Sequence, residues 1–87
     1  MKIKEFCEIL NEKFPHALFN HRGSKIFIQM SSYHNGNAVI NMMTNNQLYD
    51  CGVLNEVVEF IESNGYCIDY NDRGEIIIKE DDEPAGC

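Results

Sequence analysis

The sequence predicts an α+β fold: a single small domain of order α-βββ-α-ββ, an antiparallel sheet with two helices packed on one face. Three observations carry the prediction. Two segments, 2–14 and 53–64, repeat apolar side chains at three- and four-residue spacing. A run at 25–31 alternates apolar with polar residues. Asn35-Gly36 and Arg73-Gly74 mark tight turns between extended segments. A chain of 87 residues has room for one core, expected over 1–80, with an acidic tail at 81–87.

The first helix is expected over 2–14, where Ile3, Phe6, Cys7, Leu10 and Phe14 form one stripe and Pro15 ends it. Three strands follow. "ALF" at 17–19 is the weakest, and "NHRGS" reads as a turn with Gly23 at positive φ. "KIFIQMS" sets Ile26, Ile28 and Met30 on one face and Lys25, Phe27 and Gln29 on the other. Asn35-Gly36 then joins it to "AVINMM" as a hairpin. The second helix, 53–64, carries Leu54, Val57, Val58 and Ile61 at i, i+3, i+4, i+7, and Gly65 terminates it. The last hairpin pairs "YCIDY" with "EIIIK" around a turn that uses Gly74. No internal repeat is evident.

No apolar run approaches the roughly 20 residues that span a bilayer, and the amphipathic, acid-containing N-terminus is unlike a secretory signal. A cytoplasmic protein of the host cell is expected, without a membrane partner. Cys7, Cys51 and Cys67 sit in or beside apolar stretches, so they read as small core thiols rather than a disulfide framework, with Cys87 free.

Charge is distributed unevenly. Residues 1–49 carry a net +2 and residues 50–87 a net −9. Such a half repels nucleic acid, so no direct nucleic-acid partner is expected. His16 and His21 have metal-ligand spacing, but no cysteine pair at C-x₂₋₄-C spacing accompanies them, and no metal or cofactor is expected. Asp50, Cys51 and His34 can be drawn as a nucleophilic set, yet no nucleophile elbow, phosphate loop or H-E-x-x-H motif is present, and no catalytic residue is assigned. The expectation is a protein that is not an enzyme.

What stands out is acid. Glu56, Glu59 and Glu62 recur every third residue on the second helix, and no Lys or Arg occurs between Asp50 and Asp72 to relieve their repulsion. Asp69, Asp72 and Glu75 follow, and Glu80, Asp81, Asp82 and Glu83 continue the bias. Acids of this kind are common on solvated faces, and they also suit a surface that imitates a polyanion.

The α-βββ-α order over 2–64 resembles a double-stranded-RNA-binding domain. That family needs basic residues where this chain has "YHNGN" and "CGVLNEVVE", so its RNA-binding role does not transfer. The chain also resembles the small acidic anti-CRISPR proteins of phages and mobile elements, through its acidic second half and the stretch "KIFIQMSSYHNGNAVINMMTNN", with "I-x-I-Q" followed by "N-G-x-A-V-I-N". That resemblance implies a phage counter-defence inhibitor acting by protein–protein interaction. It would occlude the basic nucleic-acid-binding surface of a CRISPR effector as a DNA mimic. Glu56, Glu59, Glu62, Asp69, Asp72 and Glu75 are the acids it points to. The alternative is a small self-associating structural or regulatory module: Ile76, Ile77 and Ile78 place apolar groups on both faces of the last strand, and Ile77 would form a homodimer contact.

Overall fold

The computed structural model describes residues 2–42, 47–50 and 52–80. Its elements run α1 (Ile3–Lys13), β1 (Phe19–Arg22), β2 (Lys25–Ile28), β3 (Tyr33–His34), β4 (Asn37–Ala38), β5 (Tyr49–Asp50), β6 (Val53–Leu54), α2 (Asn55–Ser63), β7 (Tyr66–Tyr70) and β8 (Ile76–Glu80). The stripe of α1 buries Phe6, Cys7 and Leu10. Phe14 leaves the α region at φ −122° and ψ 77°, as a residue before proline does, yet remains in the core. The stripe of α2 buries Val57, Val58 and Ile61, and Gly65 at φ 83° lets the chain turn out of the helix. The expected start of α2 at Val53 is corrected to Asn55. Val53 and Leu54 pair with Asp50 and Tyr49 in a short ribbon, and the extended ψ of 130° at Leu54 keeps it out of the helix.

Four strands form one antiparallel sheet in the order β1-β2-β8-β7. The fold class is thus α+β as expected, but the sheet is reached by different pairings. "ALF" is not the first strand: Phe19–Arg22 is, and "NHRGS" contracts to a turn at Gly23 and Ser24, with Gly23 at φ 59°. Asn35 and Gly36 do turn the chain, at φ 52° and 78°, but the ladder they close pairs only Tyr33 with Ala38 and His34 with Asn37. Residues after Ile28 abandon the strand because Ser32 supplies other bonds. Its buried Oγ accepts from the Leu18 N–H at 2.8 Å, and its carbonyl accepts from the Val39 N–H at 2.9 Å. Met30, expected on the core face, is therefore 73% exposed.

β2 finds its second partner in β8 instead, through Ile26↔Ile78 and Phe27↔Ile77. The result is two α-ββ units, α1-β1-β2 and α2-β7-β8, meeting antiparallel along β2 and β8. α1 lies over β1 and α2 over β7. The apolar stripe Ile3, Phe6, Cys7, Leu10 of the first unit has its counterpart in Leu54, Val57, Val58, Ile61 of the second. The repeat is one of architecture: the two stripes share spacing and hardly any residue types.

Both helices cover the same face of the sheet. The Phe6 ring stacks on Tyr66 of β7 at 4.2 Å and on Phe60 of α2 at 6.0 Å, joining three elements at one point. α1 is also tied to β1 by polar bonds. Asn11 Nδ2 donates to the Phe19 carbonyl at 3.1 Å, and the Phe19 N–H donates to Asn11 Oδ1 at 3.1 Å. Asn11→Ala leaves both backbone groups of Phe19 without these partners. A loss of about 1–3 kcal/mol in urea unfolding is expected, against under about 0.5 kcal/mol for the exposed Glu12→Ala.

Cys7 lies beneath this tie, its Sγ 3.6 Å from the Phe19 carbonyl. Burial, then the neighbouring Glu8, pushes its thiol above the usual cysteine value. Alkylation by iodoacetamide read by mass spectrometry is expected to spare Cys7 in the native protein and to modify it in denaturant. Among the described residues, no helix is long and apolar enough to cross a membrane.

Candidate interaction surface

The six acids singled out in the sequence do not form one face. Glu56, Glu59 and Glu62 project from α2 on the side opposite Val57, Val58 and Ile61, and all three are exposed. Asp69 alternates along β7 with Tyr66 and Ile68, which belong to the core side, so it stands on the sheet face that the helices leave open. Asp72 and Glu75 sit in the turn between β7 and β8. Helix, open sheet face and turn are three separate surfaces.

Three of the six acids are already engaged. Glu56 Oε2 lies 2.5 Å from His34 Nε2, with the imidazole 15% exposed and edge-on to Phe14 at 4.8 Å. This contact fastens the β3–β4 ribbon to the first turn of α2. Asp69 Oδ2 accepts from Lys79 Nζ at 2.7 Å. Glu75 Oε1 accepts from Asn71 Nδ2 at 2.9 Å, while Asn71 Oδ1 takes the N–H groups of Arg73 and Glu75 and shapes the turn. Neither the His34–Glu56 contact nor the Lys79–Asp69 ion pair involves Glu59 or Glu62.

Asp69 also has a measurable signature. The Lys79 hydrogen bond, then the Tyr70 N–H at 2.8 Å, holds its carboxyl below the usual carboxylate range. Because the folded value is depressed, the contribution is present above the unfolded value of about 3.9 and lost as pH falls through the folded one. The melting temperature of Asp69→Asn, followed from about pH 6 to about pH 2, is expected to fall less steeply than that of the parent.

The structure adds acids that the sequence reading left out. Glu5, Glu8 and Glu12 are exposed and lie at i, i+3, i+7 on α1, opposite its buried stripe. Phe60 packs between the helices, against Phe6 and Phe14 with Lys13 Nζ 5.4 Å from its ring. The outer surfaces of α1 and α2 are thus one layer, carrying six glutamates against Lys2, Lys4 and Lys13. The signal was available as glutamate spacing on α1. It was hidden because Lys2, Lys4 and Lys13, at or on the same helix, cancel its net charge.

The remaining expected sites fall as follows. Cys51 and the tail 81–87 lie outside the described residues. His16 and His21 are exposed, and among the described residues no three metal-ligating side chains converge. Ile77 points to the open sheet face but is only 3% exposed, between Phe27 and Asp69 in register, so it offers little apolar area to a second copy. No family model matches the chain, and no curated protein or solved structure matches it.

Proposed function

We propose that this protein is a non-enzymatic binding protein whose acidic helix layer docks on a basic surface of a nucleic-acid-binding protein and acts by occluding it. The observation that carries the reading is the exposed pair Glu59 and Glu62, free of ion pairs among the described residues and set in the same layer as Glu5, Glu8 and Glu12. An excess of acids over lysines on one surface works against the compact state, and it steers a cationic partner at long range. The resemblance to anti-CRISPR proteins narrows the partner to a CRISPR effector, with the Lys and Arg side chains that hold target DNA as the groups to be masked.

The test is binding of the protein to CRISPR effector complexes, measured across a salt series with and without competing target DNA. The reading expects affinity that falls by about tenfold or more between low and high salt, and competition with DNA. Affinity indifferent to salt, or simultaneous binding of protein and DNA, would exclude occlusion by the acidic layer.

A further inference from the structure

Asn-Gly occurs twice in the chain, at Asn35-Gly36 and Asn64-Gly65. Such a pair is labile in water, because glycine has no side chain to keep its nitrogen away from the amide carbon of the preceding asparagine. The fold places the two pairs very differently. Asn64 closes α2 and is held at both reacting groups. Its Nδ2 donates to the Phe60 carbonyl at 2.8 Å, and the Gly65 N–H donates to the Glu62 carbonyl at 3.2 Å. Asn35 and Gly36 stand exposed at the tip of the β3–β4 ribbon. Among the described residues, no hydrogen bond holds the Asn35 side chain or the Gly36 N–H.

What restrains Asn35 is the shape of its backbone. Among the described residues it alone has a positive φ without being glycine, 52°, and Gly36 follows at 78°. Ring closure between the Gly36 nitrogen and Asn35 Cγ needs Asn35 to swing out of this left-handed turn, so the ribbon tip has to open first. The ladder opposes opening with two register pairs, Tyr33↔Ala38 and His34↔Asn37. A ribbon of that length has little stability of its own. His34 ties it to α2 through Glu56 Oε2 at 2.5 Å and packs edge-on to Phe14.

We propose that Asn35 is a site of spontaneous deamidation in the native protein, gated by the His34–Glu56 contact. Base in the solvent takes the Gly36 amide proton. The nitrogen attacks Asn35 Cγ, a C–N bond forms, the Cγ–Nδ2 bond breaks, and Nδ2 takes up a proton and leaves as ammonia. Water then opens the succinimide at one carbonyl or the other, giving aspartate or isoaspartate with no change of oxidation state. Aspartate tolerates a left-handed turn and keeps the ribbon. Isoaspartate routes the main chain through the former side chain and adds a methylene to a two-residue turn. The His34↔Asn37 pair is then lost and Glu56 is released from His34. The site does not depend on what the acidic layer binds.

The test ages the native protein in mildly alkaline buffer and follows both Asn-Gly peptides by mass spectrometry. Labelling with an isoaspartyl methyltransferase separates the two products, and each site's rate in urea is its own reference. The native fold is expected to slow Asn64 at least tenfold more than Asn35, because freeing Asn64 means unfolding the end of α2. Glu56→Ala is expected to speed the reaction of Asn35 about two- to fivefold, and Asp72→Ala to leave it unchanged. Both variants replace exposed side chains, and circular dichroism verifies that they are folded. In the ¹⁵N-labelled isoaspartyl form, separated by ion exchange, amide shifts are expected at His34 and Glu56. Equal slowing of the two sites, an Asn35 that stays intact while the urea sample is converted, an unchanged rate in Glu56→Ala, or undisturbed His34 and Glu56 in the isoaspartyl form would each overturn the proposal.

Discussion

Phe6→Ala is expected to remove about 3–5 kcal/mol from the folding free energy, as large a loss as single truncations of a core produce. Phe6 is fully buried and stacks on both Tyr66 and Phe60. Its removal leaves a ring-sized void at the point where α1, α2 and β7 meet. The surrounding rings cannot close it without breaking their own contacts, since Phe60 also packs edge-on to Phe14 at 5.7 Å. Aromatic pairs of this geometry add about 0.5–1.5 kcal/mol beyond the area they bury. A domain of this size holds roughly 4–13 kcal/mol in total, so the variant loses a large share of its stability. Phe6→Leu keeps most of the volume and is expected to lose less than half as much. The chain has no tryptophan, so urea titrations followed by circular dichroism and tyrosine emission give the measurement. An unchanged slope with a lowered midpoint distinguishes lost packing from a changed unfolded state. A loss below about 1 kcal/mol would show that the three-element junction is not where the core is anchored.

Glu59→Lys/Glu62→Lys is expected to act on binding and not on stability. Each reversal replaces an attraction to a basic partner with a repulsion, and together they are expected to weaken association by about 2–3 kcal/mol, roughly 30- to 150-fold at low salt. Folding is expected to change by under about 0.5 kcal/mol, because both side chains are solvent-exposed and outside the described ion pairs. Removing charge from an unrelieved acidic helix also eases its self-repulsion, and α2 has no basic residue in its last turn to suit its C-terminus. The corresponding reversal at Glu75, which is spent on the β7–β8 turn, is expected to leave binding within about twofold of the parent. Retained affinity in the double reversal, with lost affinity on reversal at Glu75, would move the interface from the helix layer to the turn.

The parts of this fold that were legible in the sequence are those that a short-range signal specifies. The stripes of α1 and α2 follow from side-chain period, and the β7–β8 hairpin from Gly74 between two apolar runs. The second partner of β2 follows from neither. Its register with β8 depends on which apolar edge lies nearest after the helices dock, and Asn35-Gly36 offered a nearby hairpin that proved to close only a two-residue ribbon. What ends β2 is the bonding of Ser32, and a serine in a polar run carries no mark of burial. The interaction surface divides in the same way. Glu56, Glu59 and Glu62 were visible as a period on one helix. The diversion of Glu56 to His34 and of Asp69 to Lys79 needs contacts between different elements, one of them between residues far apart in the chain.

The assembly of the sheet from two α-ββ units also bears on how the chain finds its structure. Within each unit the strands pair across a tight turn and a helix precedes them directly, so each can gather its contacts with little loop entropy to overcome. The β2–β8 seam is different in kind: it joins Ile26 to Ile78 through two register pairs only. Such long-range closure is the slow step of small-domain folding. The topology favours a route in which two locally formed halves precede their junction. Residues at the seam then control how fast the native protein comes apart more than how fast its halves first take shape.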